Sequence, residues 1–272
     1  MFKIINKKIL ASQVTELEIQ APIIARKASA GQFVVLINDE RGERIPLTLA
    51  DWDKQEGTIT LIFQEVGFST SKLSARSMGE SIAHILGPLG HPTEIKKFGR
   101  VICVGGGVGI AEIFPVSRAF KGAGNQVVGI IGARNKGLLI LENEMKGVCD
   151  ELYATTDDGS YGRKGFVTDV LKELLTPSPK LKTPDLIYAI GPVVMMRAVS
   201  DITRQFKIKT IVSLNPIMVD ATGMCGACRC SVKGETKFAC VDGPDFDAHQ
   251  VDFQELEKRI NQFKEQEQII HR

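Results

Sequence analysis

From the N-terminus to about residue 95, apolar and polar side chains alternate in short runs. Val14-Thr15-Glu16-Leu17-Glu18-Ile19, the run from Gly31 through Phe33 to Ile37, and Thr58-Ile59-Thr60-Leu61-Ile62-Phe63 are the clearest. A period of two puts successive side chains on opposite faces of a strand. Turn-rich segments at 38–42 and 53–57 separate the runs. Short strands at this spacing predict an antiparallel barrel or sandwich, with one helix starting near Ser69 and Thr70 and ending by Gly79.

The rhythm changes at about Phe98. Arg100-Val101-Ile102-Cys103-Val104 is a continuous apolar run that ends in Gly105-Gly106-Gly107-Val108-Gly109 and is followed by a helical pattern to Gly122. Three further runs, 126–132, 152–156 and 186–190, each precede a helical stretch, the first through Met145, the second over 165–175; a Pro-rich segment at 177–184 precedes the third. Buried strands alternating with helices predict a parallel sheet covered on both faces. From Ser213 the chain becomes rich in Gly and Cys. Its tail carries Phe253, Leu256, Ile260 and Phe263 at the three- and four-residue spacing of an amphipathic helix. The expected division is therefore 1–97, 98–212 and 213–272.

Composition narrows the partners. Lys+Arg number 34 against 32 Asp+Glu, a net charge of +2, which leaves no electrostatic footprint for nucleic acid. No uninterrupted apolar stretch reaches spanning length, and charges interrupt the apolar residues of the first twenty positions, so neither a membrane span nor a signal peptide is expected. A cytoplasmic location follows as the expectation.

Cys225, Cys228, Cys230 and Cys240 crowd together, whereas Cys103 and Cys149 stand alone and read as buried small hydrophobes. In a reducing compartment such a cluster points to metal rather than disulfides. A plant-type [2Fe-2S] site has the spacing C-x4-C-x2-C and then a distant fourth cysteine. With Cys225 and Cys228 as second and third ligands, the first position falls on Asp220 and the last on Cys240. The competing assignment makes Cys230 the fourth ligand and Asp220 an ordinary loop acid. A structural zinc knot of four cysteines shares the spacing and stays open as well.

Gly105 to Gly109 sits where a strand gives way to a helix, a position at which glycine lets backbone amides approach a pyrophosphate. Gly191-Pro192 ends a later strand in the same way. Arg134, with Lys136 nearby, follows the second strand of this region as a candidate contact to an adenosine phosphate. No acid ends that strand to demand NAD over NADP.

Arg44-Ile45-Pro46-Leu47-Thr48-Leu49-Ala50-Asp51, Gly67-Phe68-Ser69-Thr70, Thr156-Asp157-Asp158-Gly159-Ser160-Tyr161-Gly162, Asp220 to Cys230, and Phe238-Ala239-Cys240-Val241-Asp242-Gly243-Pro244, taken in order, resemble the ferredoxin–NADP reductase superfamily. The chain is most similar to the branch with a C-terminal [2Fe-2S] module: the small subunits of NADH-dependent reduced ferredoxin:NADP oxidoreductases. The electron-transfer subunits of dihydroorotate dehydrogenase are near relatives, and there the first ligand position is normally cysteine. The resemblance implies an N-terminal antiparallel flavin-binding β-barrel, a parallel-sheet Rossmann-like nucleotide domain and a small iron–sulfur module. It implies FAD at Arg44, Pro46, Leu47, Thr48, Gly67, Ser69 and Thr70. It also implies NAD(H) lined by Gly105, Gly106, Gly107, Val108, Gly109, Asp158, Gly191 and Met195, and a [2Fe-2S] cluster on Asp220, Cys225, Cys228 and Cys240. The superfamily's R-x-Y-S motif is altered, since Arg44 lies one residue early and Leu47 replaces the aromatic. The implied partner is a large glutamate-synthase-like flavoprotein iron–sulfur subunit, with ferredoxin reached through the complex. The implied activity is electron transfer, and no side chain is expected to serve as acid or base.

Overall fold

The computed structural model describes residues 2–176 and 182–263. The chain groups into two compact units, 1–92 with 215–244 and 252–272, and 93–214 with 245–251.

The first unit begins with β1 (Phe2–Ala11), β2 (Val14–Gln20), α1 (Pro22–Lys27), β3 (Phe33–Ile37), β4 (Arg44–Asp53), β5 (Thr58–Gln64), α2 (Phe68–Ser74), β6 (Ser81–Ile82) and β7 (His84–Leu89). The strands form one antiparallel sheet in the order β6-β1-β2-β5-β4-β3-β7. Its first and last members are joined by Ala83 alone, so the sheet curls into a nearly closed barrel, which removes exposed strand edges. The period-two runs supply the interior: Leu17, Ile19, Val34, Leu36, Leu49, Ile59 and Leu61 are buried together. The predicted strands appear as β2, β3 and β5. The predicted helix is real but shorter, since α2 begins at Phe68 and stops at Ser74, before Met78 and Gly79.

The second unit contains β8 (Arg100–Gly106), α3 (Gly109–Gly122), β9 (Gln126–Ala133), α4 (Glu142–Val148), β10 (Glu151–Thr156), β11 (Arg163–Lys164), α5 (Val167–Leu175), β12 (Leu186–Ile190), α6 (Val193–Gln205) and β13 (Thr210–Ser213). Every pair among these strands is parallel. The continuous apolar runs are buried throughout β8 and β12, as strands covered on both faces must be. The helix expected to reach Met145 is confined to α4, preceded by one 3-10 turn at Lys136–Leu138. Of the Pro-rich segment, 177–181 lies outside the described residues.

Beyond 213 the expected loop region is more ordered than its composition suggests. A hairpin of β14 (Arg229–Val232) and β15 (Glu235–Phe238) leads into α7 (Ala239–Asp242), and β16 (Asp245–Asp247) adds antiparallel to β13. The tail helix α8 (Phe253–Ile260) buries Phe253 and Leu256, but Phe263 lies past its end and is exposed.

β16 is tied down by a polar cluster. Tyr188 Oη donates to Asp245 Oδ1 at 2.7 Å and Thr93 Oγ1 donates to Oδ2 at 2.7 Å. The residue as a whole keeps some exposed surface, yet both carboxyl oxygens are turned onto these partners. Loss of water around the carboxyl pushes its pKa up to about 6, against about 3.9 in an unfolded chain. The folded chain then holds the proton more tightly than the unfolded chain. This contribution to stability is fully present below about pH 4 and is lost as pH rises through about 6. Asp245→Asn, which cannot ionise, is expected to flatten that part of the stability profile between pH 4 and 6, read by thermal unfolding across the range.

Candidate functional site

On the barrel, the register of β4 sorts the predicted residues by face. Ile45 and Leu49 point into the core and Leu47 packs against it. By strand alternation Arg44, Pro46 and Thr48 occupy the other face. Leu47 therefore offers its backbone, not a flat surface, to a ligand. The second motif lies at the start of α2. Thr70 Oγ1 accepts from the N–H groups of Val66 at 3.0 Å and Gly67 at 3.1 Å and donates to the Gly67 carbonyl at 3.0 Å. Its hydroxyl is thus used in fixing the turn. Ser69 Oγ donates to the Glu43 carboxylate, so two motifs 26 residues apart meet at one place on the barrel. That contact was invisible in the sequence, where Glu43 is one more charged residue in a turn.

In the second unit the strand order is β10-β9-β8-β12-β13, with β8 first in sequence and in the middle in space. The chain runs one way from β8 through β9 to β10 and the other way through β12 to β13. The carboxyl ends of β8 and β12 therefore flank a topological switch point, where open parallel sheets bind ligands. Gly105 and Gly106 end β8, Gly107 and Val108 form the turn, Gly109 opens α3 and Gly191 follows β12; β8 and β12 pair up to Ile190 and Gly105. Gly109 is there for packing: a Cβ on it would stand 2.7 Å from the Ile190 carbonyl oxygen. Gly107 is different. It has φ +59° and open space where its side chain would be, as a backbone approached by a ligand requires. Met195, in the first turn of α6, lies over Gly106 and Gly191.

The remaining residues expected at the nucleotide lie at the ends of β9 and β10. Arg134 is exposed just past β9. Its carbonyl accepts from the Asp158 N–H at 3.3 Å, and the Lys136 N–H donates to Ser160 Oγ at 2.9 Å, so the two loops are knitted together. Asp158 Oδ1 accepts from the Ser160 N–H at 2.8 Å. Hydrogen bonds from the Ser160 hydroxyl and N–H hold the Asp158 carboxyl below its ordinary range, as an exposed anion.

The cysteine-rich loop belongs to the first unit. Cys228 and Cys240 bring their sulfurs within 3.1 Å, without a disulfide. Cys225 is exposed on the same loop, and its sulfur accepts from the Ala227 N–H at 3.5 Å. Asp220 accepts from the N–H groups of Thr222 at 3.0 Å and Cys225 at 3.1 Å. Cys230 sits in β14, buried, with its thiol on the Lys237 carbonyl at 3.6 Å. Among the described residues no three His, Cys, Asp or Glu side chains converge on a point that would hold a single metal ion. The set does fit a two-iron cluster in its chemistry: thiols, a carboxylate with lone pairs to spare, and backbone N–H groups aimed at sulfur. Two braces escaped the sequence reading. The Ala239 N–H donates to the Cys228 carbonyl at 3.2 Å, and Arg259 from α8 donates to the Ala227 carbonyl at 3.1 Å. Cys103 and Cys149, buried and half-buried, have thiols pushed up to about 12, chiefly by desolvation, and stay inert.

Barrel, switch-point crevice and thiol loop together define a reductase of the ferredoxin–NADP reductase class. Residues 103–201 match the oxidoreductase NAD-binding domain, and 215–252 match the iron–sulfur cluster binding domain of dihydroorotate dehydrogenase B. The chain is 46% identical over 99% of its length, and 94% of the relative's, to the "dihydroorotate dehydrogenase B (NAD(+)), electron transfer subunit homolog" of Thermotoga maritima. It is 31% identical to the corresponding electron transfer subunit of Geobacillus thermodenitrificans, covering 91% of this chain and 96% of that one. A solved structure of the NADH-dependent reduced ferredoxin-NADP oxidoreductase, described for flavin-based electron bifurcation, superposes with a TM-score of 0.93 at 45% identity, covering 100% of this chain and 96% of that one. Phthalate dioxygenase reductase shares the fold, at a TM-score of 0.58 and 16% identity over 85% of each chain. The chain belongs to the family of dihydroorotate dehydrogenase B electron-transfer subunits and their homologues, within the ferredoxin–NADP reductase superfamily.

Gly109→Ala tests the crevice. The added carbon meets backbone, which cannot swing aside, so a loss of about 1–3 kcal/mol in stability is expected, together with weakened dinucleotide binding. Chemical denaturation and calorimetric titration with NADH measure the two effects.

Proposed function

We propose that the chain is the electron-transfer subunit of a flavin-based oxidoreductase complex, moving electrons between a [2Fe-2S] cluster, FAD and NAD(H). The observation that carries this reading is the presence, in one chain, of a thiol loop with two sulfurs 3.1 Å apart and a dinucleotide-type switch-point crevice. FAD, when bound, supplies the conversion between the two-electron chemistry of nicotinamide and the one-electron chemistry of iron–sulfur clusters.

The chain's own residues bind and orient. Arg44, Pro46 and Thr48, with the backbone at Leu47, and the turn of Gly67, Ser69 and Thr70 hold FAD; the Ser69–Glu43 contact that joins these two motifs supports the assignment. Gly105, Gly106, Gly107, Val108 and Gly109, with Gly191 and Met195, line the nicotinamide dinucleotide, and Arg134 and Asp158 lie toward its adenosine end. Asp220, Cys225, Cys228 and Cys240 hold the cluster, and Cys230 is a structural residue of the hairpin. The orientation of its thiol toward Lys237 supports that choice. No proton transfer is assigned to any side chain.

A subunit has a partner. The partner proposed is a large glutamate-synthase-like flavoprotein iron–sulfur subunit, through which ferredoxin is reached in a bifurcating complex. Asp220 at the first ligand position and the likeness to the NADH-dependent reduced ferredoxin-NADP oxidoreductase favour it. The names of the sequence relatives favour a dihydroorotate-oxidising partner instead, and co-purification separates the two. Among the described residues no helix is long and apolar enough to cross a membrane. A cytoplasmic location agrees with six free cysteines.

Anaerobic purification is expected to yield FAD with iron and acid-labile sulfide in equal amounts. Cys228→Ser and Cys240→Ser are expected to lose the iron, whereas Cys230→Ser keeps it. Asp220→Cys retains a cluster with an altered potential and EPR spectrum; an unchanged signal removes Asp220 from the ligand set. Colourless protein containing zinc defeats the whole reading.

A further inference from the structure

The turn Val66-Gly67-Phe68 is unusual for a soluble barrel. Val66 is 71% exposed and Phe68 is 67% exposed, although single exposed apolar residues are common and carry no meaning by themselves. Here two stand one residue apart on a backbone that is fixed: Thr70 Oγ1 accepts from the Val66 and Gly67 N–H groups. The neighbouring Ser69 is bonded to Glu43, next to Arg44. An aromatic ring is thus displayed on a rigid turn whose next residue is bonded to the segment leading into Arg44. On the helix side of the ring, Lys72 Nζ lies 5.9 Å from its centroid and is anchored to Asp39 at 2.6 Å.

A flat apolar face beside a cation suits a purine joined to a phosphate, because every base presents a π-face and stacks on an aromatic side chain. We propose that Phe68 is the platform on which the adenine of FAD stacks, and so the residue by which the barrel selects FAD over FMN. This rests on the assignment of the flavin to the barrel. FMN has no adenylate half and passes Phe68 by, so the ring contributes to one flavin and not to the other.

The test is a calorimetric titration of the flavin-depleted full-length chain with FAD and, separately, with FMN. Phe68→Ala is expected to weaken FAD binding by about tenfold and to leave FMN unchanged. Phe68→Trp keeps the FAD affinity, and Phe68→Leu, which keeps apolar bulk but has no π-face, behaves like the alanine variant. Because the side chain is exposed, none of these changes touches the core; circular dichroism melts at wild-type temperatures verify that. An unaltered FAD affinity in Phe68→Ala, or an equal fall for both flavins, overturns the proposal while leaving a flavin on the barrel. A wild-type chain that takes up neither flavin overturns the underlying assignment first.

Discussion

The pairing of β8 with β12 is the constraint on which the second unit depends. Parallel neighbours that are distant in sequence must send their following helices to opposite faces of the sheet, and the two connections part at the carboxyl ends. The gap can be that narrow only because the backbone there carries almost no side chain. Gly109 abuts the Ile190 carbonyl and Gly106 abuts Met195. Most of the glycine-rich turn thus serves packing, and Gly107 alone presents open backbone. A run that reads as one phosphate-binding motif divides into residues that bring strand and helix together and one that leaves room for a ligand.

The thiol loop follows a different logic. Its shape is braced by its neighbours. The hairpin β14–β15 sets the Cys230 thiol on the Lys237 carbonyl, α7 brings Cys240 back to Cys228, and Arg259 reaches from α8 to the loop's backbone. The tail helix, whose stripe reads as generic amphipathicity, is therefore a brace for the donor set. Asp220 organises the loop by accepting from two N–H groups, and a carboxylate keeps further lone pairs as acceptors.

Much of the fold was legible from periodicity. The runs at 14–19, 58–63, 100–104 and 186–190 became strands because alternation or continuous apolarity leaves them few other places to bury their side chains. Elements with mixed patterns escaped. β1 is interrupted by lysines, β13 is short, and β16 takes its place by pairing with β13 and by the bonds of Asp245 to Tyr188 and Thr93. A carboxylate on a strand gives no periodic signal, and its partners are 57 and 152 residues away along the chain.

The sequence by itself determined the alternation that closes a barrel, the apolar strands of a parallel sheet, the glycines where β8 gives way to α3, and the spacing Asp220-x4-Cys225-x2-Cys228 with Cys240 beyond. These are local properties, set by side-chain size, period and backbone freedom over a few residues. Only the tertiary structure decided that Leu47 faces the core, that Cys230 turns to Lys237, that Ser69 meets Glu43, and that Phe68 stands exposed on a fixed turn. Each of those outcomes depends on which distant segment arrives at a given surface, and composition and spacing along the chain carry no information about that.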